Sequence, residues 1–155
     1  DLQNDPADLP RLLERTGCGK TGSITALYTV LVAGGDMEDP IADEVRGILD
    51  GHILLSRELA SRNHWPAIDV LPSLSRVMND VVDEAHREAA GELREMLSNY
   101  EAKRDLISLG AYEYGSDPDV DLAIDMIDDI EAILQQGLRE RAEFSETRQR
   151  MIDLA

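Results

Sequence analysis

The sequence predicts an α/β unit followed by an all-α unit, and three observations point that way. Between residues 23 and 70 short apolar runs alternate with amphipathic stretches in the order strand–helix–strand–helix–strand, the sign of an open parallel sheet flanked by helices. Beyond Arg76 only longer helical periodicities occur. The charge changes at the same place: residues 1–76 carry 7 basic and 12 acidic side chains, residues 77–155 carry 8 and 20. Two lobes, 1–77 and 78–155, are therefore expected in a chain of 155 residues, which also suits one compact domain.

Ser23 to Ala33 reads SITALYTVLVA; its β-branched enrichment without polar alternation predicts a strand buried on both faces. Gly34-Gly35-Asp36 supplies a turn. Asp39 and Pro40 suit the N-cap and first position of a helix, in which Ile41, Val45, Ile48 and Leu49 mark one buried face and Gly51 the stop. His52 to Leu55 is a second short buried strand, Ser56 caps a helix through Leu59 and Ala60, and Pro66 opens a third extended piece, Ala67 to Val70. In the second lobe, Glu84 to about Ile107 carries Ala85, Ala89, Leu93, Met96, Leu97 and Tyr100 on one stripe, with Gly110 as terminator. Asp117-Pro118 opens a further helix with Ala123, Ile127, Ile130 and Leu134 on one face, Asp121, Asp125 and Asp128 on another, and Gly137 at its end. Phe144 to Leu154 gives a final helix.

Composition restricts the function classes. A net charge of -17 disfavours nucleic-acid binding through phosphate neutralisation and favours a basic partner or simple solubility. The lone Cys18 excludes an internal disulfide and any Cys-based zinc site, so a reduced, cytoplasmic setting is expected. No run approaches a membrane-spanning length, and the start lacks the pattern of a secretory signal.

Few residues suggest chemistry of their own. Gly17-Cys18-Gly19-Lys20-Thr21 is similar to the end of a Walker A loop, but the template's first Gly is Glu14 here, an anion where polyphosphate would pass. A loop leading into the Ser23 strand is the better account. His52, His64 and His86 lack metal-ligand spacing and are expected to be structural or surface histidines. Asp125, Asp128 and Asp129 fit a solvated helix face, and no metal site is expected. Ser56, Ser73 and Ser75 lie in no nucleophile-elbow context.

The run from Gly22 to Met78, with GSITA, DPIADEVR, DGHI, PAIDVL and the S-SR ending at Arg76, resembles the segment of type III secretion and flagellar export ATPases that follows their Walker B strand. It is more distantly similar to the catalytic subunit of rotary ATP synthases. Leu9 to Arg15 and Gly110 to Pro118 also match the pattern; Asp1 to Asp8 do not. The resemblance implies the C-terminal portion of a RecA-like parallel-sheet domain followed by a C-terminal helical bundle lobe.

It further implies a homo-hexamer in which ATP and Mg2+ lie between subunits. Arg76 is similar to the family's arginine finger, the other possibility being an ion pair at the lobe junction. Trp65, where family members usually place Tyr or Phe, is similar to the residue on the adenine ring; as an ordinary core Trp it would also fit. Gln136, in Gln135-Gln136-Gly137, is similar to the segment completing that pocket. The region from Tyr114 through Asp129 is similar to the acidic loop that faces a central stalk, and the helical lobe to the receiver of chaperone–effector complexes beside the inner-membrane export apparatus. In the family the Walker A loop, catalytic glutamate and Walker B strand lie upstream of such a segment, so this chain is expected to be inactive alone and to need no cofactor of its own. The competing expectations are a stand-alone chaperone- or stalk-binding module without a part in hydrolysis, and an unrelated acidic fold.

Overall fold

The computed structural model describes Leu13, residues 15–32 and residues 40–155; of Ile41 only the backbone is described. The expectations on Leu9 to Leu12, Ala33, the Gly34-Gly35-Asp36 turn, the Asp39 cap and the Ile41 side chain lie outside the described residues. The chain divides into two compact units, Asp1–His52 and Ile53–Ala155. The described residues hold two separate two-stranded sheets.

In the first unit, β1 (Gly17–Cys18) pairs antiparallel with β2 (Ser23–Ile24), Gly17 opposite Ile24 and Cys18 opposite Ser23. Gly19 closes the hairpin by donating its N–H to the Gly22 carbonyl at 2.7 Å. The long buried strand expected over residues 23–33 is therefore corrected: only Ser23 and Ile24 form a ladder, residues 25–32 lack regular structure, and Leu27 and Leu31 are more than nine-tenths exposed. An apolar run of this kind becomes a strand only when hydrogen-bonded neighbours flank it, and among the described residues β1 alone pairs with it. Helix α1 (Pro40–Ile48) buries Ala42 and Val45, while Ile48 is exposed rather than on the covered face. Gly51 does not stop this helix but opens β3 (Gly51–Leu55).

The last three residues of β3 belong to the second unit, and β3 pairs with β4 (Ile68–Ser75). Ile53 and Leu55 are exposed, contrary to the expected buried strand; alternate side chains share a face, and a two-stranded sheet leaves one face open. Between them α2 (Arg57–Ser61) is capped as expected, the Ser56 side chain accepting the Leu59 N–H at 3.3 Å. A short α3 (Met78–Val81) leads to the helical part.

Helices α4 (Glu84–Ser108), α5 (Pro118–Leu134) and α6 (Phe144–Leu154) pack against one another. Asp83 caps α4 by accepting the His86 N–H, and Gly110, at φ 66°, ends it with the Ala111 N–H returned to the Leu106 carbonyl. Asp117 caps α5 with Pro118 at its start. The core of the bundle is Val120, Ala123, Ile127 and Ile130 of α5 with Ala89 and Leu93 of α4. Leu134 is half-buried and Ala85 exposed. From α6, Arg148 grips both Asp83 carboxylate oxygens at 2.8 and 2.6 Å; that guanidinium and the His86 N–H hold the Asp83 carboxyl below its ordinary value. None of the described helices is long and apolar enough to cross a membrane.

Candidate functional site

Where α2 ends, Asn63 takes a left-handed backbone conformation, φ 63°, which its short polar side chain tolerates. The turn sends the next two side chains opposite ways: His64 is 8% exposed and Trp65 52% exposed. The indole is braced by its Nε1–H, which donates to Asn63 Oδ1 at 3.2 Å; the Trp65–Pro66 peptide is cis. Across from it, the chain leaving α5 folds on itself. Gly137 donates its N–H to the Glu140 carboxylate at 2.8 Å and accepts the Glu140 N–H at 2.9 Å, while Gln136 Nε2 donates to the Glu140 carbonyl at 3.3 Å. The two loops are joined by the Gln136 N–H, which donates to the Trp65 carbonyl at 2.8 Å. Between them lies an open groove of about 820 Å³ walled by Trp65, Pro66, Gln136, Gly137 and Leu138. The structure thus brings together Trp65 and Gln136, 71 positions apart in the sequence.

Arg76 stands elsewhere. It directly follows β4, at the opposite end of that strand from Trp65, and its side chain is exposed. The Gly17–Thr21 segment forms the hairpin already described, with the Gly19 amide spent on the Gly22 carbonyl, so it is no phosphate cradle. Cys18 is a free, exposed thiol. Among the described residues no His, Cys, Asp and Glu cluster could hold a metal ion. Asp125, Asp128 and Asp129 are exposed, as expected of a solvated helix face; Asp125 also accepts from the Tyr114 hydroxyl at 2.9 Å, and the half-buried Asp121 accepts from the Tyr112 hydroxyl and the Gly115 N–H, both at 2.8 Å. The Asp125 bond holds the Tyr114 hydroxyl above its ordinary pKa. The Asp121 and Asp125 carboxylates fasten the turn between α4 and α5.

Residues 6–75 match the ATP synthase alpha/beta family, nucleotide-binding domain, and residues 82–153 match the T3SS EscN ATPase C-terminal domain. The type 3 secretion system ATPase of Xanthomonas euvesicatoria is 53% identical over 141 residues, 91% of this chain and 32% of that protein. The chain belongs to the type III secretion and flagellar export ATPase family. The assembled EscN ATPase of the enteropathogenic E. coli type III secretion system superposes with a TM-score of 0.91 at 44% identity, over 96% of this chain and 36% of EscN. EscN in complex with its central stalk EscO superposes at 0.85 and 44% identity, over 96% and 35%. The chain thus spans about a third of the length of the relatives it matches.

Within this family segment, four features have no signal in the sequence. Leu138, fully exposed beside Trp65, has no motif to announce it. His64 is buried with its Nε2 unpartnered, facing a second cavity of about 220 Å³ between α2, β4, α4 and α5. Glu101 lines the same cavity, and burial raises its carboxyl pKa against the opposing pull of Arg62. Arg94 on α4 donates to the Val70 and Leu71 carbonyls of β4 at 2.6 and 2.8 Å; no spacing rule signals such a contact.

Proposed function

We propose that this chain supplies the adenine-facing wall and the arginine finger of the inter-subunit ATP site in a hexameric ATPase that energises type III protein secretion. The single observation that carries the reading is the groove between Trp65 and the Gln136 loop. An exposed, braced indole presents a flat apolar face, and the Gln136–Gly137 turn stands opposite with polar groups at its rim, a chemistry that fits a heteroaromatic base. ATP with Mg2+ is the cofactor proposed for the parent enzyme, and the residues described fit its adenine end. Phosphate-binding groups are proposed to come from the parent's Walker motifs, so this chain alone is expected to be inactive. Residues 1–77 are proposed as the ATPase portion and 78–155 as the helical lobe.

Base-on-aromatic stacking contributes about 1–3 kcal/mol by alanine substitution. Trp65→Ala in the full-length protein is therefore expected to raise KM for ATP by about 5- to 150-fold with kcat held within about twofold, because lost ground-state binding changes KM alone. Trp65→Phe should recover most of it. Steady-state kinetics check this, and an unchanged KM would remove the adenine assignment.

The partners are proposed on charge and resemblance. The acidic side of α5, with Asp119, Asp128 and Asp129 exposed, is proposed to attract a basic stalk protein, and the lobe to receive chaperone–effector complexes at the cytoplasmic side of the inner membrane. Stalk binding to the full-length protein is expected to weaken steeply between low and high ionic strength and after Asp119→Asn with Asp128→Asn. Binding insensitive to both, read by titration calorimetry, would argue against the acidic surface.

A further inference from the structure

β4 is not a uniform strand. Pro72 lacks an N–H for the ladder, and the Ser73 hydroxyl stands in for main-chain groups there, accepting the Leu54 N–H at 2.9 Å while donating to the Asp69 carbonyl. Consecutive carbonyls of a flat strand point to opposite sides. Those of Val70 and Leu71 instead converge on one planar guanidinium, Arg94 Nη1 at 2.6 Å and Nη2 at 2.8 Å. Such convergence fits a local bend of the kind a bulge makes. The planar cationic fork from α4 thus ties Val70 and Leu71 to that helix, while the Ser73 hydroxyl ties Asp69 and Leu54 together beside it.

We propose that Arg94 is a positioning residue: by fixing the Val70–Leu71 bend it sets where β4 ends, and so where Arg76 is presented. This rests on the reading of Arg76 as the finger. From Leu71 to Arg76 the chain runs five residues, about 17 Å at roughly 3.3 Å per residue. A change of about 10° at the bend would displace the strand's end by about 3 Å, and displacements of about 1 Å can cost about 10²-fold in rate. Pairing with β3 resists part of that movement, so the expected loss is about 10- to 100-fold in kcat. Because α4 begins in the helical lobe and reaches β4 through this contact, Arg94 also gives the lobe a mechanical hold on the finger.

The test uses the full-length protein with Arg94→Gln, Arg76→Ala and the double variant. Arg94→Gln keeps the length and polarity but not the two-pronged donor. It is expected to lower kcat by about 10- to 100-fold with KM within about twofold. It should also speed amide exchange over residues 70–76 while leaving α4 protected. In single-turnover measurements Arg94→Gln should cost nothing further once Arg76 is alanine, since it acts through that residue. Should Arg94→Gln lower the melting temperature severely, Arg94→Lys carries the same comparison. Full kcat in Arg94→Gln while Arg76→Ala is inactive would overturn this proposal alone, as would an equal loss in the Arg76→Ala background. An active Arg76→Ala would instead overturn the finger reading, and this proposal with it.

Discussion

Replacing Arg76 with alanine in the full-length protein is expected to lower kcat for ATP hydrolysis by about 10³- to 10⁵-fold, the range an arginine finger supplies in phosphoryl transfer. The expectation rests on where the side chain stands. Arg76 is exposed just beyond β4, while Trp65 lies before its other end. Eight residues of strand separate them, up to about 26 Å at roughly 3.3 Å per residue. A nucleotide whose base rests on Trp65 is therefore poorly placed to receive Arg76 of the same chain, whereas one bound to an adjoining copy is not so limited. ATP affinity should stay within about threefold, since a group acting on charge developed in the transition state changes kcat rather than ground-state binding. Arg76→Lys should rescue little, because an ammonium lacks the planar fork. Mixing Arg76→Ala subunits with subunits disabled in the Walker A lysine should restore part of the activity, because the intact Walker A loop of the first then meets the intact Arg76 of the second at one of the two kinds of mixed interface. Undiminished kcat in Arg76→Ala, or no recovery on mixing, would dismiss a finger acting between subunits.

How much of this was legible in the sequence depended on whether the information was local. The Asp117 cap, the Pro118 start and the Ala123, Ile127, Ile130 spacing are settled within one helix, and α5 follows them. The last helix runs from Phe144 to Leu154 as its pattern predicts. Periodicity also marked the apolar stripe of α4, but it could not say how far a partner covers it: α4 has 25 residues and α5 has 17, and Ala85, in the first turn of α4, stays exposed. The Ser23 run failed for a related reason. Its composition describes what a flanked strand needs, and a strand's neighbours are a property of other segments. At the candidate site, family resemblance pointed to Trp65, Gln136 and Arg76. The hydrogen bond that ties Trp65 to Gln136, the exposed wall at Leu138 and the Arg94 fork all depend on tertiary placement. None is written in a spacing.

The second large effect is expected in the core of the helical lobe. Ile130 is the largest side chain buried almost completely among the described residues, at 2% exposure, in line with Val120, Ala123 and Ile127. Ile130→Ala should cost about 2–5 kcal/mol of unfolding free energy, the transfer term plus the cavity the neighbours fail to close. Against a typical domain stability of about 5–15 kcal/mol that is enough to leave the lobe partly open. Leu122, next to Ala123 in the chain but about 100° round the helix from it and 50% exposed, provides the control: Leu122→Ala should change stability by no more than about 0.5 kcal/mol. Urea denaturation monitored by circular dichroism separates the two. Equal small losses would mean that α5 is not held by the face assigned to it. The consequence reaches the groove as well. Gln136 follows α5 directly and donates its main-chain N–H to the Trp65 carbonyl, so a loosened α5 should carry that loop away from the indole. Ile130→Ala is therefore expected to raise KM for ATP below its unfolding transition, although Ile130 is not among the residues lining the groove.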